Sequence, residues 1–369
     1  MTNIQISELL VKFKLKHMKK QDKQAPSSKK NWKKILGVLL FIAINVAVIT
    51  ITAVSEFGNS SNVTDLSKIK INWWLLIPAT LCFVVAIIFE IFKYVLMIKR
   101  LAINEKLTTE ETKHIRKNAW KVARRTVLLG KYYDNITPAA VGGQPFQIYY
   151  MRHNSGLLNG ASTSIPIFGM ISNQIGFLLL AIICFVFGNV LQKNTALMVT
   201  AWIGLLFHAF WPIMVFGVSF FPKATSNFLK FIVKILAKLR LVKNRDKVLQ
   251  KIENEVTEYA KSVKIILKSR GLFFQTVLFS TLFNALIAAI PFFVLTAFGG
   301  NVNFIECFAL TIAVMSAVYF IPTPGNSGAA EGTFFLVFSA LSTGYVFWAM
   351  LFWRFFSYYI YVIIGPIIY

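Results

Sequence analysis

Two stretches of this chain bring hydrogen-bonding residues into breaks between long apolar runs. One is Pro322-Thr-Pro-Gly-Asn-Ser-Gly-Ala-Ala-Glu-Gly332, and the other, 186 residues earlier, is Thr137-Pro-Ala-Ala-Val-Gly-Gly-Gln-Pro-Phe146. Both read Thr-Pro, small residues, Gly, then a polar Gln or Glu, then Phe. Proline removes a backbone donor and glycine loosens the chain, so neither stretch can continue an apolar helix. Broken backbone at membrane depth survives only where protein or a wet cavity satisfies its polar groups. The freed N–H groups and helix N-termini of such breaks attract anions through oriented dipoles. Thr137, Gln144 and Gln147 on one side, with Thr323, Asn326 and Ser327 on the other, add neutral hydrogen-bonding groups. Gly142, Gly143, Gly325 and Gly328 allow close approach of backbone to a ligand or to the facing break. Glu331 and Arg354 are charges inside apolar runs; each costs about 2.5–3.5 kcal/mol at a bilayer centre on insertion scales, so neither should face lipid. They could pair with each other, or serve a zwitterionic or anionic headgroup. Glu90, late in another apolar run with Lys93 at i,i+3, and Arg152, near an inner boundary, are secondary candidates. His208, beside Trp211-Pro212, reads as a hydrogen-bonded packing residue. The chain has no nucleophile–base set, metal-ligand spacing or nucleotide-binding loop, so the expectation is a non-enzyme without cofactor or metal.

The elements that must hold these residues follow from composition and charge. Apolar residues make up 56% of the 369, against about 45–50% in soluble domains, and mean hydropathy is positive. Runs of about 18 or more apolar residues mark membrane-crossing helices. Behind the net charge of +24, 34 of the 39 basic residues fall in three blocks: ten Lys in residues 1–34, eleven Lys or Arg in 93–131 and thirteen in 223–270. All three flank apolar runs, the positive-inside pattern, which points to anionic inner-leaflet lipid as counter-surface and away from nucleic acid. Cys82, Cys184 and Cys307 lie far apart within apolar runs and read as small buried hydrophobes. No cleavable signal is evident before the first run.

Six spans follow: Ile35 to Val54, Trp73 to Met97, Leu157 to Val190, Leu197 to Phe221, Leu272 to Phe298 and Tyr345 to Tyr369. Residues 1–31 form a basic cytoplasmic tail, in which Ile4 to Met18 suits either a surface helix or a disordered arm, and 32–369 form the membrane domain. Asn104 to Arg125 reads as a charged cytoplasmic helix. Because both flanking blocks are basic, 126–151 must enter and leave from the cytoplasmic side. The block 223–270 reads as an amphipathic helix pair on the inner surface. Phe304 to Phe320 and Thr333 to Leu341 are each too short to span, so 304–342 reads as a hairpin entering from outside. The fold class expected is therefore an all-α polytopic membrane protein, with six transmembrane helices plus two opposed re-entrant hairpins in an inverted-topology repeat. Such repeats place the substrate where the broken helices meet. The N-terminus and the C-terminus are both expected on the cytoplasmic side of the cell membrane.

On Thr137 to Pro145 and Pro322 to Gly332 the chain resembles the flippase-like membrane domain of lysylphosphatidylglycerol synthases, over roughly residues 30–369. Order, spacing and the basic central block agree, although Ala329-Ala330 stands where a further Gly is common. The resemblance implies a protein that moves a phospholipid, an aminoacyl-lipid, or a glycolipid or polyprenyl-linked headgroup between leaflets. Bifunctional members carry an aminoacyl-transferase domain after the membrane part; this chain stops at Tyr369 and is not expected to make lysyl-phosphatidylglycerol. Expected partners are membrane lipids, with a homodimer or a partner lipid synthase as further candidates. Two rival readings stand: a scaffold recruiting a lipid synthase or glycosyltransferase through 223–270, and an ion-coupled carrier for a soluble solute.

Overall fold

The computed structural model describes Thr50 and residues 70–104, 107–137, 142–187, 195–238, 245–319, 321–339 and 346–368. The basic tail and, apart from Thr50, the first expected span lie outside these residues, as do Pro138 to Val141 of the first break. Among the described residues the chain is helical throughout, with no strand. Five helices among the described residues are long and apolar enough to cross a membrane: Trp73–Asn104, Asn159–Val186, Thr195–Gly217, Arg270–Ala297 and Val346–Ile368. They coincide with five of the six spans read from the sequence.

A 3₁₀ turn, Trp73–Leu75, leads into α1, Leu76–Asn104. The next helix, α2, runs unbroken over Thr109–Ile136. The sequence reading divided this stretch at Arg125 into a cytoplasmic helix and a hairpin arm. No proline lies between Thr109 and Ile136, and the lone Gly130 does not interrupt the helix, so the charged segment simply continues as that arm. Its start is fixed by a capping box, with Thr108 Oγ1 accepting Glu111 N–H at 3.3 Å and Glu111 Oε2 accepting Thr108 N–H at 3.0 Å. Its end is fixed at Thr137, which is extended (φ −111°, ψ 144°), as the residue before a proline tends to be.

After the break, α3 (Gly143–Asn154) folds back against α2. Two long apolar helices follow, α4 (Asn159–Phe187) and α5 (Thr195–Phe220), then the amphipathic pair α6 (Pro222–Lys238) and α7 (Arg245–Lys268). α8 (Arg270–Ala297) packs along both α1 and α4. α9 (Phe304–Val318) begins on an Asn303 cap and packs against α5 and against α10 (Ala329–Ser339), the second arm beyond the Pro322–Gly328 break. At 15 and 11 residues, α9 and α10 rise only about 22 and 16 Å at 1.5 Å per residue, short of a hydrocarbon core of about 30 Å. The last span is α11 (Val346–Arg354) and α12 (Ile360–Ile368), joined without interruption by a π-turn, Phe355–Tyr359.

Two apolar clusters share α1 and α8. One joins Phe83 of α1 and Val294 of α8 to Val314, Phe334 and Met350 around the second hairpin. The other joins Ile98 of α1 to Val127 of α2, Phe168 of α4 and Ile266 of α7 around the first. Each hairpin is thus clamped by one half of the same helix pair. Large apolar side chains face outward on the long helices, among them Leu206 at 71% and Ile213 at 69% exposure, the surface expected where lipid is the solvent.

Candidate functional site between the two broken hairpins

The second break is built around the Glu331–Arg354 pair. Glu331 stands in the first turn of α10, where Oε2 accepts Gly328 N–H at 2.8 Å and Oε1 meets Arg354 Nε at 2.7 Å. The carboxylate therefore caps a helix N-terminus and neutralises a guanidinium at once. Arg354 Nη2 also donates to Gly325 O at 3.2 Å and Ser327 Oγ at 3.3 Å, and the guanidinium lies 4.5 Å from the Tyr358 ring centroid. Thr323 Oγ1 donates to Ser327 O at 2.9 Å and closes the turn. Gly325 has φ +57°, and a Cβ there would fall 2.2 Å from Tyr358 Cε2. Only glycine satisfies both the left-handed backbone and that approach. The π-turn after Arg354 adds a residue to the helix, as such bulges often do beside functional sites.

The first break is closed by different chemistry. Thr137 Oγ1 donates to Tyr133 O at 2.6 Å and accepts Gly142 N–H at 2.9 Å, while Asp134 Oδ1 accepts Gly143 N–H at 2.9 Å. Tyr133 and Phe146 stack with centroids 3.4 Å apart, pinning the two arms together. Gln147 is a latch: it accepts from Tyr94 OH at 3.3 Å and donates to Thr126 O at 3.2 Å. Gly130 is required opposite it, since a Cβ there would lie 1.9 Å from Gln147 Nε2. The backbone donors expected to receive an anion at Gly142, Gly143 and Gly328 are accordingly taken by Thr137, Asp134 and Glu331.

Between the breaks lies one cavity of about 620 Å³. Its wall includes Gln144, Pro145 and Gln147 from the first hairpin, Gly325, Asn326 and Ala330 from the second, and Arg354 and Ser357 from the last span. Glu90, Lys131, Asp134, Asn135, Asn173, Gln174, His208 and Asn284 add to the polar part, with Tyr94 and Tyr319. Of the residues singled out by sequence, Gln144, Gln147, Gly325, Asn326, Arg354, Glu90 and His208 reach this wall. Thr137, Gly142, Gly143, Thr323, Ser327, Gly328 and Glu331 stand behind it and shape the two turns. Arg152 is elsewhere: its Nε and Nη2 donate to Thr163 Oγ1 at 3.0 and 2.7 Å, tying α3 to α4.

Glu90 is braced rather than free. Lys93 Nζ lies 2.8 Å from Glu90 Oε2, 3.1 Å from Gly169 O and 3.0 Å from Ser280 Oγ, so one ammonium joins α1, α4 and α8. His208 stacks between Phe177 and Tyr319 and shares a hydrogen bond with Gln174, whose Nε2 donates to Tyr319 OH at 2.6 Å. Sequence reasoning missed Lys131 and Asp134. The available signal was an acid and a base at i,i+3, one turn before the Thr-Pro break, but they read as the tail of the basic block 93–131.

Broken helices around a largely apolar cavity with polar groups on its wall, inside a bundle of long apolar helices, define a polytopic membrane protein with an internal cavity. The family model described as Lysylphosphatidylglycerol synthase TM region matches residues 34–365, and the chain belongs to that family. Its membership links it to lipid modification or flipping. Comparison with curated proteins and with solved structures returned no match.

Proposed function

We propose that the protein is a lipid translocase that moves a headgroup between leaflets through this cavity while the acyl tails stay in the bilayer. The observation that carries this reading is the cavity bounded by both breaks, mainly apolar but with Gln144 on one side and Gly325 and Arg354 on the other. A cavity of about 620 Å³ falls within the range of about 300–1,000 Å³ usual for small-ligand sites and suits a headgroup. The order span, broken hairpin, span occurs twice, in α1 to α4 and in α8 to α12, which supports an inverted repeat with one hairpin entering from each face. Transport of this kind changes no covalent bond, so the protein works without catalytic residues or cofactor, and its partners are lipids. The candidate ligands are phospholipid, aminoacyl-lipid and glycolipid or polyprenyl-linked headgroups.

The test is the rate at which labelled lipid changes leaflet in vesicles holding only the purified protein. Glu331→Gln and Arg354→Ala, checked for monodisperse elution, should each slow it by roughly tenfold or more, as expected for removing one partner of a buried pair. Unchanged rates in both variants would sink the site assignment. The rival scaffold reading draws on α6, where Phe228 and Phe231 are exposed on a helix that also carries Lys230 and Lys234. It gains if the purified protein flips nothing and activity appears only with a partner synthase.

A further inference from the structure

The charges around the cavity are not equally satisfied. Glu90 is neutralised by Lys93, Glu331 by Arg354, and Asp134 accepts the Gly143 N–H. Lys131 differs. Its side chain lies on the cavity wall, and among the described residues its ammonium makes no hydrogen bond and no ion pair within 4.0 Å. What it does meet is the face of the Phe283 ring, 4.7 Å from the centroid. Partly buried on that wall, an ammonium over an aromatic face still has open valences for an anionic or acceptor partner.

The other side chains left without a protein partner are neutral. On the same wall Asn326 Oδ1 and Ser357 Oγ have no hydrogen-bond partner, and the Gln144 carboxamide makes none among the described residues. The open valences are thus one cation plus amide and hydroxyl groups, with His208 Nε2 and Trp353 Nε1 as further neutral ones on the wall. A ligand complementary to that set carries one anionic group and several hydroxyls. An ammonium on the ligand would find Glu90 and Glu331 already ion-paired, and at Asp134, which accepts the Gly143 N–H, it would meet the like-charged Lys131 one helical turn away on α2.

We propose that Lys131 is the phosphate-binding residue of the cavity, and that the headgroup it selects is an amine-free polyol- or sugar-phosphate, with hydroxyls read by Gln144, Asn326 and Ser357. This deepens the translocase reading and rests on it for the statement that the phosphate belongs to a lipid.

The experiment uses the full chain purified in neutral detergent and follows its thermal unfolding midpoint during titration with phosphatidylinositol, phosphatidylethanolamine or inositol 1-phosphate. Phosphatidylinositol should raise the midpoint saturably, with an apparent affinity at least about tenfold above that of phosphatidylethanolamine. Lys131→Gln should weaken phosphatidylinositol by roughly tenfold or more, the loss expected for a charge-assisted contact, while Lys131→Arg keeps it within about threefold. Ser357→Ala, which leaves every charge in place, should weaken phosphatidylinositol severalfold and phosphatidylethanolamine not at all; it carries the test if Lys131→Gln does not fold. Equal affinity for the two lipids, or a phosphatidylinositol affinity indifferent to Lys131→Gln in a folded protein, overturns the proposal. Should inositol 1-phosphate bind as tightly as the lipid, with the same Lys131 dependence, the phosphate site stands and the lipid reading of the protein fails.

Discussion

Lys93 is fully buried, and its three contacts are spread over three helices. Its ammonium survives there because a carboxylate, a carbonyl and a hydroxyl replace the water it left. Such a pair adds little net stability over an apolar substitute, whereas removing one member leaves the other charged and stranded. Lys93→Met should therefore destabilise the protein by about 3–5 kcal/mol through the uncompensated Glu90. Glu90→Gln/Lys93→Met should recover more than half of that loss, because it removes both charges together. Reversible unfolding in mixed micelles measures both, and a double variant as unstable as the single one would show that packing rather than charge is what Lys93 supplies. Arg354 follows the same logic with one difference. Its guanidinium lies on the cavity wall while its carboxylate partner is withdrawn behind it, so the pair can hold a cation in contact with ligand without exposing an anion to it.

At the scale of elements, the hairpins are positioned by helices that approach closely. α5 reaches α9 where Gly204 faces Ser316: a Cβ at Gly204 would sit 1.8 Å from Ser316 O, and Ser316 Oγ donates to Ala201 O at 2.7 Å. Small residues at such crossings let backbones meet where no hydrophobic force joins helices in lipid. Gly204→Val should push α5 off the first arm of the second hairpin and cost about 3 kcal/mol or more. Gly217→Ala, on the same helix with nothing near its added Cβ, should be neutral or stabilising by up to about 1 kcal/mol. Unfolding midpoints of the two variants compare the effects directly, and similar losses would mean that helix propensity rather than packing governs α5. These helices were legible in the sequence because length and apolar run are set by bilayer thickness, and the breaks because Pro and Gly cluster there, whereas the isolated Pro166, Pro212, Pro291 and Pro366 lie inside helices. Glu331 and Arg354 stood out for the same physical reason, the cost of charge in lipid. Lys131 and Asp134 did not, since a charge next to a basic block looks like a boundary until the helix is seen to carry it inward. Nor could sequence show that Gln147 is spent on an internal latch, or that Asp134 and Glu331 occupy the helix N-termini that looked open to anions. Those outcomes depend on which side chain folds back onto which turn. The π-turn after Arg354 has no sequence signature of its own, although it carries Tyr358, whose ring occupies the space beside Gly325.

For the molecule as a whole, a cavity enclosed by two breaks can pass a headgroup only if one hairpin moves relative to the helices that cover it, the rocking expected of paired repeats. The last helix is the natural place to look, because it carries Arg354 and Ser357 at the cavity and then packs on the first hairpin through α12. At that contact a Cβ on Gly365 would lie 2.6 Å from the Tyr132 Cβ, with the ring itself in the way. Replacing both residues by cysteine removes the ring and leaves two thiols whose Cβ atoms need separate by only about 1 Å to reach disulfide geometry. In a background with Cys82, Cys184 and Cys307 replaced, Tyr132→Cys/Gly365→Cys should oxidise readily and tie α2 to α12. The oxidised protein should bind lipid with unchanged affinity but flip it at least about tenfold more slowly, and a reductant should restore the rate. Binding and flipping separate in this way only if the site is formed in the locked state and its opening needs relative motion of α2 and α12. A locked protein that flips at the full rate would place the moving boundary elsewhere, with the second hairpin and its α5–α9 contact as the remaining candidate. Loss of binding together with flipping would instead mean that the lock distorts the cavity, which the Lys131 dependence of the residual midpoint shift would reveal.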